Sequence, residues 1–204
     1  MTEYTKTSIT AIVLAGGQSS RMGRDKALLN WRDRTLLSHI CSVATECAAQ
    51  VYIVTPWIEK YQHIVPQNCQ LIAEKLLVSH QKSNSPIIGF LQALPWVTTE
   101  WVLLLACDLP LLRSFHVKFW YKYLETVLPT QIALLPRNSQ GWEPLCGFYR
   151  RSCLPLLENY VARGGQSFQN FLAQYAIAEL PVSDRSCLFN CNTPEDWKRI
   201  TNGQ

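Results

Sequence analysis

The sequence predicts an α/β fold in three layers, with helices on both faces of a Rossmann-like, doubly wound, mostly parallel sheet that carries an antiparallel element at its edge. Three observations predict it. Short apolar runs, Ile9 to Leu14, Val51 to Val54 and Trp101 to Ala106, alternate with segments of helical periodicity, the order of right-handed βαβ units. The run from Trp101 to Ala106 has no polar alternation, which marks a strand covered on both faces. Beyond Pro136 the alternation breaks, and Leu145 to Tyr149 reads as a strand outside the βαβ series.

Ile9 to Leu14 is the expected first strand, followed by a glycine-rich turn. Leu36, Leu37, Ile40, Val43, Ala44 and Cys47 then recur at helical spacing, with Asp33 or Thr35 as N-cap. Val51 to Val54 stops at Thr55-Pro56 as strand two, and an irregular segment with Trp57 and Tyr61 follows. Gln70 to Ala73 is a short third strand ending at Glu74, and Ser79 to Ser85 is polar enough for a surface loop. Pro86 opens a helix carrying Ile87, Ile88, Leu91 and Leu94. After the strand Trp101 to Ala106 come a helix with Phe115, Phe119 and Leu124 and a strand Ile132 to Leu135. Gly141 to Pro144 reads as a turn, Arg151 to Val161 as a helix ended by Gly164-Gly165, and Ser167 to Gln174 as another helix. Leu188 to Asn192 reads as a strand, and Thr193-Pro194-Glu195-Asp196 as a helix start with Thr193 at the N-cap.

A chain of 204 residues suits one domain, expected here over 1–204, with about 136–186 as an insertion shaping an acceptor pocket. The formal charge of +4 is mild and scattered, which favours a small anionic ligand over nucleic acid. No apolar run is long enough for a membrane span and no leader precedes the first strand, so the expectation is a soluble, unprocessed, cytoplasmic protein. The eight cysteines form no C-x-x-C pair and read as buried, reduced thiols.

The stretch Leu14-Ala15-Gly16-Gly17-Gln18-Ser19-Ser20-Arg21-Met22-Gly23-Arg24-Asp25-Lys26 holds the chemistry. Gly16 and Gly17 let main-chain N–H groups approach a ligand, and Arg21 and Lys26 add positive charge, a combination suited to polyphosphate. The spacing is neither G-x-x-x-x-G-K-S/T nor G-x-G-x-x-G, so this is a third kind of phosphate loop. Lys26 and, after it, Arg21 are the candidate triphosphate contacts, while Asp25 orients the loop. Asp108, at the carboxyl end of an interior strand, lies where open α/β sheets bind ligands; it is a candidate Mg²⁺ ligand or, alternatively, a helix N-cap. The histidines His39, His63, His80 and His116 share no ligand spacing, and Ser19 and Ser20 have no adjacent base, which argues against a hydrolase.

All ten specified positions of L-A-G-G-x-S-x-R-M-G-x-D-K are met, and the chain therefore resembles the nucleotidyltransferases, most closely their molybdenum cofactor guanylyltransferase branch. Ala106-Cys107-Asp108-Leu109-Pro110 is similar to that family's metal-binding turn, and Asn190-Cys191-Asn192-Thr193-Pro194 to its closing N-x-N-T-P segment. The resemblance implies a nucleotidyltransferase-type fold and transfer of GMP from GTP to molybdopterin-bound molybdenum cofactor, with release of pyrophosphate. It implies that Leu14, Ala15, Gly16, Gly17, Lys26, Glu74 and Asp108 bind GTP. It implies further that Asp108 binds Mg²⁺, and that Asn192, or Asn190, completes the metal or acceptor site; an asparagine there also suits a turn cap. Cofactor-insertion proteins and molybdoenzymes are the implied further partners. Two departures stand out: Glu74 replaces the family's usual Asp, and Ser85-Pro86-Ile87-Ile88-Gly89 stands where Gly-Pro-Leu-Ala-Gly is usual. Cytidylyl relatives carry L-A-A-G and a Pro before the lysine, so Gly17 and Asp25 favour guanylyl transfer. The alternatives are a cytidylyl- or sugar-phosphate nucleotidyltransferase and a GTP-binding partner in cofactor delivery that performs no transfer.

Overall fold

The computed structural model describes residues 8–17, 19, 21–75 and 85–201. The expected polar loop Ser79 to Ser85 lies outside them except for Ser85, as do Gln18, Ser20 and His80. In chain order the strands are β1 (Thr10–Leu14), β2 (Asn30–Trp31), β3 (Arg34–Thr35), β4 (Gln50–Thr55), β5 (Cys69–Ala73), β6 (Trp101–Ala106), β7 (Gln131–Leu135), β8 (Arg137–Asn138), β9 (Gly141–Trp142), β10 (Cys146–Arg150) and β11 (Ala176–Glu179). The helices are α1 (Leu36–Thr45), α2 (Ile58–Tyr61), α3 (Pro86–Ala93), α4 (Ser114–Tyr121), α5 (Leu154–Ala162), α6 (Phe168–Leu172) and α7 (Pro194–Thr201). The main sheet runs β11-β7-β10-β6-β1-β4-β5, and two small antiparallel hairpins, β2-β3 and β8-β9, stand apart from it.

All pairings in the main sheet are parallel except those of β10 with β6 and β7. The fold class is the one expected from sequence, with one correction. The antiparallel strand is interior, between β6 and β7, and the edge beyond them is the parallel β11, which the sequence reading did not include. Cys146 to Arg150 is almost wholly buried and apolar up to its last residue, which suits an interior place. The segment 136–186 therefore builds a strand into the sheet and does more than lie over it.

Alternation along each strand feeds two apolar layers. Ala11, Val13, Leu103 and Leu105 face α1 and α4, where Leu37, Ile40, Val117 and Trp120 are buried. Ile12, Val102 and Leu104 face the opposite layer, with Ile88 and Phe90 of α3, Leu157 of α5 and Phe171 of α6. A smaller cluster of Met22, Leu29, Trp31, Leu36, Cys191 and Ile200 joins the loop after β1 to α7. The rings of Trp31 and Trp197 meet edge-on at 6.1 Å across it.

Other local expectations need adjustment. Thr35, not Asp33, caps α1: its hydroxyl accepts from the Ser38 N–H at 3.2 Å, while Asp33 pairs with Arg34. Phe115 and Phe119 are 61% and 49% exposed, and α4 buries Val117 and Trp120 instead. Helical spacing alone does not say which of two apolar stripes meets the sheet. Gly141 and Trp142 pair with Arg137 and Asn138 as a hairpin, so the first turn lies at 139–140. Leu188 to Asn192 is not a strand; a 3₁₀ turn over Arg185–Leu188 leads into an irregular segment crossing the strand ends. Thr193 caps α7 as expected, its hydroxyl accepting from the Asp196 N–H at 3.1 Å, and all eight cysteines are free thiols, five of them buried.

Gly147 shows how tightly β10 is seated. A Cβ there would lie 2.7 Å from Leu135 Cδ2 and 2.8 Å from the Leu134 carbonyl oxygen, and the latter is backbone that cannot rotate away. Gly147→Ala is expected to destabilise the fold by about 1–3 kcal/mol. Urea unfolding followed by circular dichroism checks this; an unchanged midpoint would contradict the seating.

Candidate active site

The site begins where β1 leaves the sheet. The Leu14 carbonyl accepts from the Cys107 N–H at 3.3 Å and the Ala15 N–H donates to the Val54 carbonyl at 2.9 Å, so the loop emerges between the ends of β4 and β6. This is the point where strand order reverses, since the chain runs from β1 outward to β4 and β5 and then returns to β6 on the other side. Clefts at such positions bind ligands in open α/β sheets. Leu14, Ala15, Gly16 and Gly17 line a cavity here, together with Lys26, Glu74, Asp108 and, from other elements, Tyr61, Gly89 and Leu145.

A Cβ on Gly16 would meet the Glu74 carboxylate, so the two cannot occupy their present places together and the flexible Glu74 side chain would have to move. Glu74 Oε1 also lies 3.5 Å from the position of a Cβ on Gly89. The two glycines, from the loop and from α3, thus frame one carboxylate. Ser85-Pro86-Ile87-Ile88-Gly89 delivers Gly89 by starting α3 with Pro86 in its first turn. The family's smaller residues are absent from this phrase, yet its closing glycine faces the cavity.

Beyond the glycines the backbone is held by side chains. The Ser19 hydroxyl accepts from the Lys26 N–H at 3.1 Å, a role that places it in loop geometry and gives it no base to act with. Asp25 Oδ1 accepts from the Ala27 N–H at 3.0 Å, capping a short 3₁₀ turn over Lys26–Leu28. Asp25 Oδ2 accepts from the Tyr61 hydroxyl at 2.8 Å and forms an ion pair with Lys60. Asp25 therefore orients the loop.

Lys26 Nζ, so aimed, donates to Asp108 Oδ2 at 2.8 Å and to Asn192 Oδ1 at 2.8 Å. The Lys26 and Asp108 side chains are only 15% and 14% exposed. A backbone bond from the Cys191 N–H to the Asp108 carbonyl, 2.9 Å, ties the two turns together. Asp196 Oδ2 takes the Asn192 and Thr193 N–H groups at 2.9 and 2.8 Å and locks the second turn. Asp108 Oδ1 is buried with no hydrogen-bond partner among the described residues. A buried carboxylate oxygen is rarely left so, and an unpartnered oxygen on an acid that lines the cavity fits a hard cation. Asp108 caps no helix, since α4 starts six residues later. Burial first, and then the charge of Asp108, pushes the neighbouring Cys107 thiol up to about 12, so it stays neutral.

Of the residues expected from sequence, Leu14, Ala15, Gly16, Gly17, Lys26, Glu74 and Asp108 share one cavity and Asn192 joins them through Lys26. Arg21 does not line it and is exposed in the turn at 21–24. Asn190 donates to the Leu188 carbonyl at 3.3 Å, a turn bond. Sequence reading missed Tyr61, Lys60 and Leu145, whose only signals were an aromatic segment and a strand start.

Comparison with known proteins agrees with this geometry. Residues 11–179 match the model of the MobA-like NTP transferase domain. A probable molybdenum cofactor guanylyltransferase of Trichormus variabilis is 51% identical over 189 residues, covering 93% of this chain and 88% of the relative. One from Synechococcus elongatus is 39% identical over 193 residues, covering 95% and 98%. The crystal structure of molybdopterin-guanine dinucleotide biosynthesis protein A from Archaeoglobus fulgidus superposes with a TM-score of 0.76 at 23% identity, covering 96% of this chain and all of that one. Glycine loop and strand-end acid share one cleft at the reversal of strand order, Lys26 ties the closing asparagine to them, and the chain belongs to the MobA-like NTP transferase domain family of nucleotidyltransferases.

Proposed function

We propose that the protein transfers GMP from GTP to the terminal phosphate of molybdopterin-bound molybdenum cofactor. A phosphate oxygen of the acceptor forms a bond to the α-phosphorus, the bond from that phosphorus to the bridging oxygen breaks, and pyrophosphate leaves. The observation that carries the reading is the meeting of Lys26, Asp108 and Asn192 at 2.8 Å contacts, with one Asp108 oxygen unsatisfied. The named activity of the relatives supplies the acceptor and the base.

Two anions must approach each other in this reaction, so fixed positive charge and N–H donors matter more than any nucleophilic side chain. Lys26 supplies charge inside the cleft, and its ammonium exchanges protein oxygens for phosphate oxygens when the nucleotide enters. Arg21, exposed at the loop's rim, is free to fold over the outer phosphates. The backbone at Gly16 and Gly17 approaches the phosphates without a side chain between. Glu74 is an acceptor-only group between two glycines, which suits the N–H edge of guanine. Asp108 and Asn192 would hold Mg²⁺ through oxygen donors, and the ion would neutralise triphosphate charge and polarise the reacting phosphoryl group. The segment about 136–186 would shape the acceptor side of a single domain over 1–204. Among the described residues no helix is long and apolar enough to cross a membrane. A cytoplasmic setting, with cofactor-insertion proteins and molybdoenzymes as recipients, completes the proposal.

Three measurements test it. With Mg²⁺ and purified acceptor, pyrophosphate release is expected with GTP well above CTP and ATP; faster turnover of CTP would reject the guanylyl reading. Asp108→Ala is expected to lower kcat by about 10²–10³-fold, the loss typical of an electrostatic stabiliser, with a smaller change in nucleotide affinity. Lys26→Ala is expected to weaken GTP binding about tenfold or more, as for a lost charge-assisted bond, and calorimetry showing undiminished affinity would remove it from the phosphate site.

A further inference from the structure

Tyr61 is 1% exposed, packed in the core on one side of the sheet, and is also among the residues that line the cleft. A buried hydroxyl needs a partner, and this one donates to Asp25 Oδ2 at 2.8 Å. Burial first, and then the Asp25 carboxylate, raise the phenol far above its ordinary range, so it remains a neutral donor. The ring is fixed by its edge contact with Trp57 at 6.3 Å, and the Tyr61 carbonyl accepts from the Ile64 and Val65 N–H groups at 3.0 and 3.1 Å.

Asp25 Oδ2 meets two groups of α2: the Lys60 ammonium, which lies over the Trp57 and Tyr61 rings at 5.6 and 5.9 Å, and the Tyr61 hydroxyl. The Lys60 side chain is 45% exposed, whereas the Tyr61 hydroxyl belongs to a side chain buried in the core. Asp25 in turn caps the Ala27 N–H, and the Lys26 side chain projects from between these two residues to Asp108 and Asn192.

We propose that Tyr61 is a positioning residue for the reaction: through Asp25 its hydroxyl holds the loop in the register that sets the Lys26 ammonium against Asp108 and Asn192. The proposal rests on the transferase reading above and adds a residue that acts through Asp25 rather than on a phosphate directly. Because only the hydroxyl matters, Tyr61→Phe keeps the ring packing and loses the effect.

The test is a double-mutant cycle in the pyrophosphate-release assay, with Tyr61→Phe, Lys26→Ala and the pair. Tyr61→Phe is expected to lower kcat about tenfold, the effect of one lost bond to a charged group, while KM for GTP moves less than threefold. In the Lys26→Ala background the same change is expected to cost nothing further, because the group it positions is gone. An equal tenfold loss in both backgrounds, or a lowered Tm with kcat unchanged, overturns the proposal. Should Tyr61→Phe lose its cooperative melt, Asp25→Asn weakens the same bond from the other end and is read in the same cycle. Wild-type protein that releases no pyrophosphate would instead count against the transferase reading, so the two failures are distinct.

Discussion

The ammonium of Lys26 between Asp108 and Asn192 is the interaction on which the cleft depends. It joins three positions separated by 82 and 166 residues in sequence, so it exists only when the whole fold is assembled. Largely withdrawn from water, such a charge is costly to leave without partners, and its loss exposes an uncompensated carboxylate. A cation held this way is secured in the free protein, and under the proposed function it would exchange these oxygens for those of a nucleotide's phosphates.

What brings the three together is the order of strands. β1 lies between β4 and β6, so the loop after β1 and the turn after β6 leave the sheet side by side. Both strands are apolar on both faces, and each face is buried under helices, so neither can slip by one residue without turning its whole side-chain set over. The third partner arrives by a separate route. The cluster of Met22, Trp31, Leu36, Cys191 and Ile200 clips α7 to the loop itself, and Asn192 lies at the start of that clip. Loop and closing turn therefore share one small core, and a change in either moves both.

Much of this was legible in the residues. Continuous apolar runs announced the interior strands, the glycine loop and Asp108 stood out by residue type and by their places at strand ends, and Asn192 stood out only through the resemblance of its N-x-N-T-P segment to the family's. Less legible was whatever depended on partners distant in sequence. Leu145 to Tyr149 reads as a strand from its own residues, but its interior place follows from β6 and β7 on either side. Phe115 and Phe119 obey helical spacing and still face solvent. Leu188 to Asn192 is apolar enough for a strand, yet its backbone is claimed by Asp108 and Asp196. Tyr61 carried no motif, since what distinguishes it is a hydroxyl aimed at a carboxylate 36 residues earlier.

The antiparallel strand explains why Asp108 is so well placed for one side chain at a strand end. A parallel neighbour on only one side would leave the last residues of β6 free to fray. Here the Cys107 N–H is taken by the Leu14 carbonyl of β1, and the Ala106 N–H by the Leu145 carbonyl that precedes β10. Leu145 is itself restrained, because the Tyr149 hydroxyl donates to the adjacent Pro144 carbonyl at 2.8 Å, and Gln169 of α6 clasps the Trp142 backbone through both its amide atoms. The turn bearing Asp108 is thus gripped from both flanks, and the segment after Pro136 helps to fix the acid's position. An insertion that began as an outer layer would not do this; a strand threaded antiparallel between two parallel neighbours does, because its incoming end arrives at the same edge where theirs depart.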